Sequence, residues 1–167
     1  MNAARLAAGL VLSALGTLGI GALGIPGAPD LFLLPVADTA RRAGPVWALV
    51  AGLVAGLLED LVSVPGRLLG LHAFTKILVG YLLATVAART VVEKPAAIGG
   101  LLAAAVAFES LLLVALLWIL RGEAPAPPPL LLASRAVSTG LLGMALDAAA
   151  RTPWRERRAA RRRMRLG

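Results

Sequence analysis

Apolar runs long enough to cross a bilayer alternate along this chain with short clusters of proline, glycine and charge. A hydrocarbon core about 30 Å thick takes roughly 20 apolar residues in helical form. Five segments reach or approach that length: Leu6–Gly24, Val46–Val64, Leu69–Ala88, Ala96–Leu120 and Leu130–Ala150. Lipid offers no partner to backbone N–H and C=O groups, so these segments are expected to be helices. Pro26, Pro29, Pro45, Pro65, Pro95, Pro125 and Pro127 to Pro129 fall between them, where helix breakers belong. The first run is longer than the apolar core of a secretory signal, about 7–15 residues, and is read as a span.

A sixth segment, Ala28–Arg41 (APDLFLLPVADTAR), is short and carries Pro35 at its middle. Charge argues for counting it as a crossing. Arg5 precedes the first span with no acid nearby, and the chain ends in RTPWRERRAARRRMRLG. Basic flanks mark the cytoplasmic side, so both termini are expected there and the number of crossings is even. With six spans, thirteen of the 17 Lys and Arg residues lie inside, Arg67 and Arg121 lie outside, and Lys76 and Arg135 fall within spans. The expectation is an all-α, polytopic membrane protein: a six-helix transmembrane bundle over residues 1–150 and a basic cytoplasmic tail over 151–167.

Composition agrees. The chain is 59% hydrophobic and 16% charged, more apolar than a soluble core of 167 residues hides. Cysteine is absent, which removes disulfides and thiolate metal sites, and the single histidine, His72, excludes a His-rich centre. No cofactor is expected. The net charge of +8 would suit nucleic acid if it were spread over a face. Eight of the 17 basic residues are instead in the tail, where two readings stand: they fix orientation alone, or they also hold anionic lipid at about 1 kcal/mol per basic residue.

The charges inside the spans bear most directly on function. The third span runs outward and ends at Glu59–Asp60. His72 and Lys76 lie one turn apart on one face of the fourth, Glu109 is near the middle of the fifth, and Arg135 is one to two turns into the sixth. A charge left alone at mid-bilayer costs from about 3 to over 10 kcal/mol, so pairing is expected. The pairs anticipated are Glu59 or Asp60 with Lys76 or Arg67, and Glu109 with Arg135. Asp147 is expected to meet Arg89, Arg151 or the tail. Gly52 and Gly56 form a small-xxx-small pair suited to close helix packing, within the chain or against a partner.

The stretch GLVAGLLEDLVSVPGRLLGLHAFTKILVGYLLATV, about a quarter of the chain, resembles the signature of the rod shape-determining MreD family. A Gly-rich third span ends in an acid, a Ser/Pro/Gly turn follows, and the next span opens Gly-Leu-His-Ala and continues Val-Gly-Tyr-Leu. The matching positions are Gly52, Gly56, Asp60, Ser63, Pro65, Gly70, Leu71, His72, Ala73, Gly80 and Tyr81. Arg67–Leu68 lengthens the turn relative to the family pattern. The resemblance implies a bundle similar to the substrate-binding components of energy-coupling-factor vitamin transporters. It also implies a role in the bacterial elongation machinery, beside MreC, RodA and its class B transpeptidase.

Three functions remain in view. The first is a non-enzymatic scaffold that grips the membrane helix or juxtamembrane part of MreC through Gly52, Gly56, Glu59, Asp60, Arg67, His72, Lys76, Glu109 and Arg135. The second is the substrate-binding subunit of a vitamin or small-molecule transporter, although aromatic residues are only 4% of the chain. The third, an intramembrane enzyme, has little to stand on. Glu59 and Asp60 are adjacent and point about 100° apart on a helix, and no HExxH or Gly-rich phosphate loop is present.

Overall fold

A computed structural model describes residues 3–62, 69–89, 94–122 and 128–151. Among them are six helices: α1 (Ala3–Ala22), α2 (Leu33–Ala43), α3 (Pro45–Val62), α4 (Leu71–Arg89), α5 (Pro95–Arg121) and α6 (Pro129–Arg151). Five of these are long and apolar enough to cross a membrane; α2 is not. The chain is therefore an all-helical, multi-pass membrane bundle.

Local chemistry sets the helix ends. Pro45, Pro95 and Pro129 each occupy a first helical position, where the missing N–H is not needed. Gly122 closes α5 in the left-handed conformation (φ 68°), with its N–H donating to the Trp118 carbonyl at 2.9 Å. Pro35 falls at the middle of the weak segment Ala28–Arg41. It lies in the first turn of α2, where proline is tolerated.

At 11 residues, α2 is only about 16 Å long, half the hydrocarbon thickness. The non-helical residues before it carry the chain through the rest of the bundle. Unpaired backbone is tolerable at that depth only when shielded by protein. Asp30 and Phe32 are buried, as are Leu33, Val36, Ala37 and Ala40 behind them. The second segment is thus a broken element enclosed by the other helices.

Small residues let the central helices meet. Ala48, Ala51 and Ala55 on α3 are fully buried, while Val46, Leu53, Leu57 and Leu61 face outward. The closest pairings are α3 with α4 and α5 with α6. A Cβ on Gly52 would run into the Lys76 carbonyl, one on Gly56 into the Ala73 backbone, and one on Gly80 would sit 2.6 Å from the Ala48 carbonyl oxygen. On the other seam Gly99 and Gly140 face each other's carbonyls. The outer helices are looser: α1 rests on α2 and α3, and α6 chiefly on α5.

Successive helices are antiparallel. Arg5 near the start of α1 pairs with Asp38 near the end of α2, while Ser13 Oγ donates to the Leu31 carbonyl. Arg41 reaches Asp147 near the end of α6 at 2.9 Å, and Asp147 also pairs with Arg151. The beginning of α1 and the ends of α2 and α6 therefore share one face of the bundle, rich in arginine.

Candidate functional site: a buried ionic cluster

The half of the bundle away from that arginine face encloses a cluster of charge. Lys76, on α4, has no solvent exposure. Its Nζ lies 2.6 Å from Asp30 Oδ2, 2.9 Å from Glu109 Oε1 and 2.9 Å from Glu59 Oε2. The first two are also hydrogen bonds, whereas the Glu59 contact is close but not aligned as one. Arg135 Nη2 completes the group, 3.1 Å from Asp30 Oδ2 and 3.2 Å from Glu59 Oε1. One ammonium from α4 and one guanidinium from α6 thus hold three carboxylates, from α3, α5 and the segment before α2. At these distances, in a medium of low dielectric, removing one partner exposes the others to the full cost of buried charge.

Asp30 is the keystone, and the sequence analysis did not single it out. Besides its two cationic partners, its Oδ1 accepts the Leu33 N–H at the start of α2, and its own N–H donates to Thr139 Oγ1 at 2.8 Å. Thr139 in turn donates to the Arg135 carbonyl. These bonds fasten the broken second segment to α6. The available signal was an acid inside the weak sixth segment, directly before four apolar residues; the count of acids in the long spans passed over it.

The expected pairings are partly corrected. Glu59 does meet Lys76, but Glu109 pairs with Lys76 rather than Arg135, although α5 packs more closely on α6 than on α4. Arg135 reaches across to Asp30 and Glu59 instead. Asp60 is outside the cluster altogether. One position along α3 it turns away and accepts the N–H groups of Gly70 at 2.8 Å and His72 at 3.3 Å, capping the start of α4. Gly70 takes a φ of 94° there, a conformation glycine adopts without strain. Asp147 meets Arg151, as anticipated, and also Arg41. Arg67 and the tail beyond Arg151 lie outside the described residues.

Eight of the nine positions expected to meet a partner are among the described residues. Gly52 and Gly56 are buried against α4, so that seam is already filled by the chain itself. Glu59, Asp60, His72, Lys76 and Glu109 are each at most 7% exposed. Arg135 is the open member, with 31% of its side chain exposed. It lines a cleft of about 340 Å³ together with Asp30, Glu59, Thr17, Ser110 and Leu131.

His72 Nδ1 is buried without a hydrogen-bond partner, 3.7 Å from Glu59 Oε1 and 3.8 Å from Glu109 Oε1. Glu59, His72 and Glu109 present donor atoms within 4.8 Å of one another, close enough to surround a metal ion. The Lys76 ammonium already stands beside both carboxylates and would oppose a second cation. The trio therefore reads as part of the ion-pair network. Among the described residues no nucleophile is set against a base in this cluster. No protein-family model, curated protein or solved structure matches the chain.

Proposed function

We propose that this chain is a non-catalytic scaffold of the bacterial inner membrane, a component of the elongation machinery that binds an MreC-type partner and supports peptidoglycan synthesis and cell shape. One observation supports this reading above the others. The signature residues build a helical hairpin rather than a reaction centre. Gly52, Gly56 and Gly80 allow α3 and α4 to touch, and Asp60 ties the start of α4 through Gly70 and His72. That hairpin delivers Glu59 and Lys76 to the buried cluster. A motif used to stiffen a bundle suits a protein whose task is to present a fixed shape to neighbours.

The partner contact belongs at Arg135 and its cleft, where the cluster opens. Co-expression with an MreC-type protein, followed by purification in mild detergent, tests this. Arg135→Lys keeps a cation near Asp30 and Glu59 but loses the planar fork; Leu131→Trp fills the cleft and leaves the charges untouched. Both are expected to lower partner recovery several-fold without lowering the yield of the chain. Full recovery with both variants would remove the cleft from the interface. Failure of the unaltered chain to recover MreC, RodA or its transpeptidase would remove the scaffold reading itself.

The same cleft supports a second reading, the substrate-binding subunit of a transporter, because it offers acid, base and hydroxyl groups at one opening. A thermal shift produced by a vitamin-sized solute, abolished by Leu131→Trp, would favour it.

A further inference from the structure

On the arginine side the bundle has a second concavity, and it is of a different character. The short α2 leaves a groove of about 620 Å³ between α1 and α6. Its floor is α2 and the start of α5, with Leu34, Pro35, Ile98 and Leu102; its walls are Leu6, Ala8 and Leu12 of α1 and Leu142 and Leu146 of α6. At one end stand Arg5, Arg41 and Arg42 with Asp38 and Asp147. At the other, Ser13 and Leu31 line it, joined by the Ser13 Oγ bond to the Leu31 carbonyl at 2.8 Å.

We propose that this groove is a binding site for one anionic phospholipid, with an acyl chain along α2 and the phosphate at Arg5 and Arg42. Length selects the occupant. From Arg5 to Ser13 the groove wall is eight residues of helix, about 12 Å, close to one leaflet of hydrocarbon. A transmembrane helix of a partner would need a track roughly 30 Å long, more than twice this wall. Charge selects the head group. Arg5 and Arg42 share Asp38, and Arg41 and Arg151 share Asp147, so four guanidinium groups face two carboxylates. Arg5 and Arg42 keep more than half of their side-chain surface exposed, which leaves them able to meet a phosphate. Groove and head-group site are continuous, as an amphipathic ligand requires.

Native mass spectrometry of the full chain, purified in detergent and given phosphatidylglycerol or phosphatidylcholine of identical acyl chains, reads the site. The unaltered chain is expected to retain one phosphatidylglycerol through activation that strips phosphatidylcholine. The double variant Arg5→Gln/Arg42→Gln is expected to weaken that retention roughly thirtyfold, from two lost phosphate contacts. Ala8→Trp places a ring in the groove, keeps every arginine, and is expected to abolish retention equally. The basic tail is present in all arms, so lipid held there contributes alike to each. Unchanged melting temperatures separate lipid loss from misfolding; should Ala8→Trp melt low, Leu12→Trp on the same wall takes its place. Equal retention of the two lipids, or retention that survives either set of changes, overturns the proposal. In particular, loss with the arginine variant but not with the tryptophan would mean surface attraction without a groove.

Discussion

Lys76 shows how much one residue decides here. It is an amine with no solvent exposure, and three carboxylates converge on it. Its value is not that a buried ion pair is strongly stabilising, since a well-packed apolar core of the same shape often does as well. Removing it alone leaves Asp30 and Glu59 with Arg135 and takes from Glu109 its ammonium partner. Lys76→Met is therefore expected to cost about 3–5 kcal/mol, the range for breaking a buried pair. Glu109→Gln should cost less, because Lys76 keeps two partners, and adding it to Lys76→Met should restore part of the loss. Thermal unfolding of the four proteins in one detergent measures this; a Lys76→Met chain that melts with its parent would show that the cluster does not hold the bundle. The presence of buried charge was legible from Glu59, Lys76, Glu109 and Arg135 at similar depth. Which acid meets which base was not, because pairing depends on helix neighbours and rotation, and Asp30 arrives from a segment with no regular register.

At the scale of elements, the α3–α4 hairpin depends on the absence of side chains. Gly52→Leu must push α4 away, since its Cβ would meet the backbone carbonyl group of Lys76 rather than a movable side chain. Such overpacking typically costs about 1–3 kcal/mol, and here it also displaces the cluster's amine. Gly100→Leu is the matched control, because nothing lies within 4 Å of a Cβ there. Asp60→Ala removes the acceptor of the Gly70 and His72 N–H groups and should cost about 1–3 kcal/mol. The expected order of melting temperatures is parent and Gly100→Leu together, with Asp60→Ala and Gly52→Leu below. Equal melting of Gly52→Leu and Gly100→Leu would contradict the packing described. The five long helices were visible in the sequence because length and hydropathy alone dictate them in lipid. The broken second element was only half visible. Ala28–Arg41 was correctly placed as a weak segment, but its helix begins at Leu33, because buried Asp30 takes over the role of the first turn.

For the whole molecule, the antiparallel run of α1 to α6 makes sidedness testable. The chain has no cysteine, so single cysteines report cleanly. Arg5, Lys94 and Arg151 stand at the starts of α1 and α5 and the end of α6, while Arg121 ends α5 at the opposite face. The positive-inside rule predicts that the first three are cytoplasmic. A membrane-impermeant maleimide added to intact spheroplasts is expected to label Arg121→Cys, and to label Arg5→Cys and Lys94→Cys only after permeabilisation. Labelling of Arg5 and Lys94 on different sides would break the even number of crossings. The arginine face and the ionic cluster occupy different halves of the bundle, the cluster closed on itself except at Arg135.

By itself the sequence determined the solvent, the helix count and the approximate boundaries, because a bilayer penalises unpaired backbone at every position and leaves few ways to thread apolar runs. It also determined that several charges must be enclosed together. Only the tertiary structure decided that the glycine seam is used within the chain, that Asp60 caps a helix instead of joining the cluster, and that Asp30 anchors the broken segment. These outcomes turn on a 100° rotation per residue and on which helices are neighbours, and side-chain pairing at 3 Å is sensitive to both.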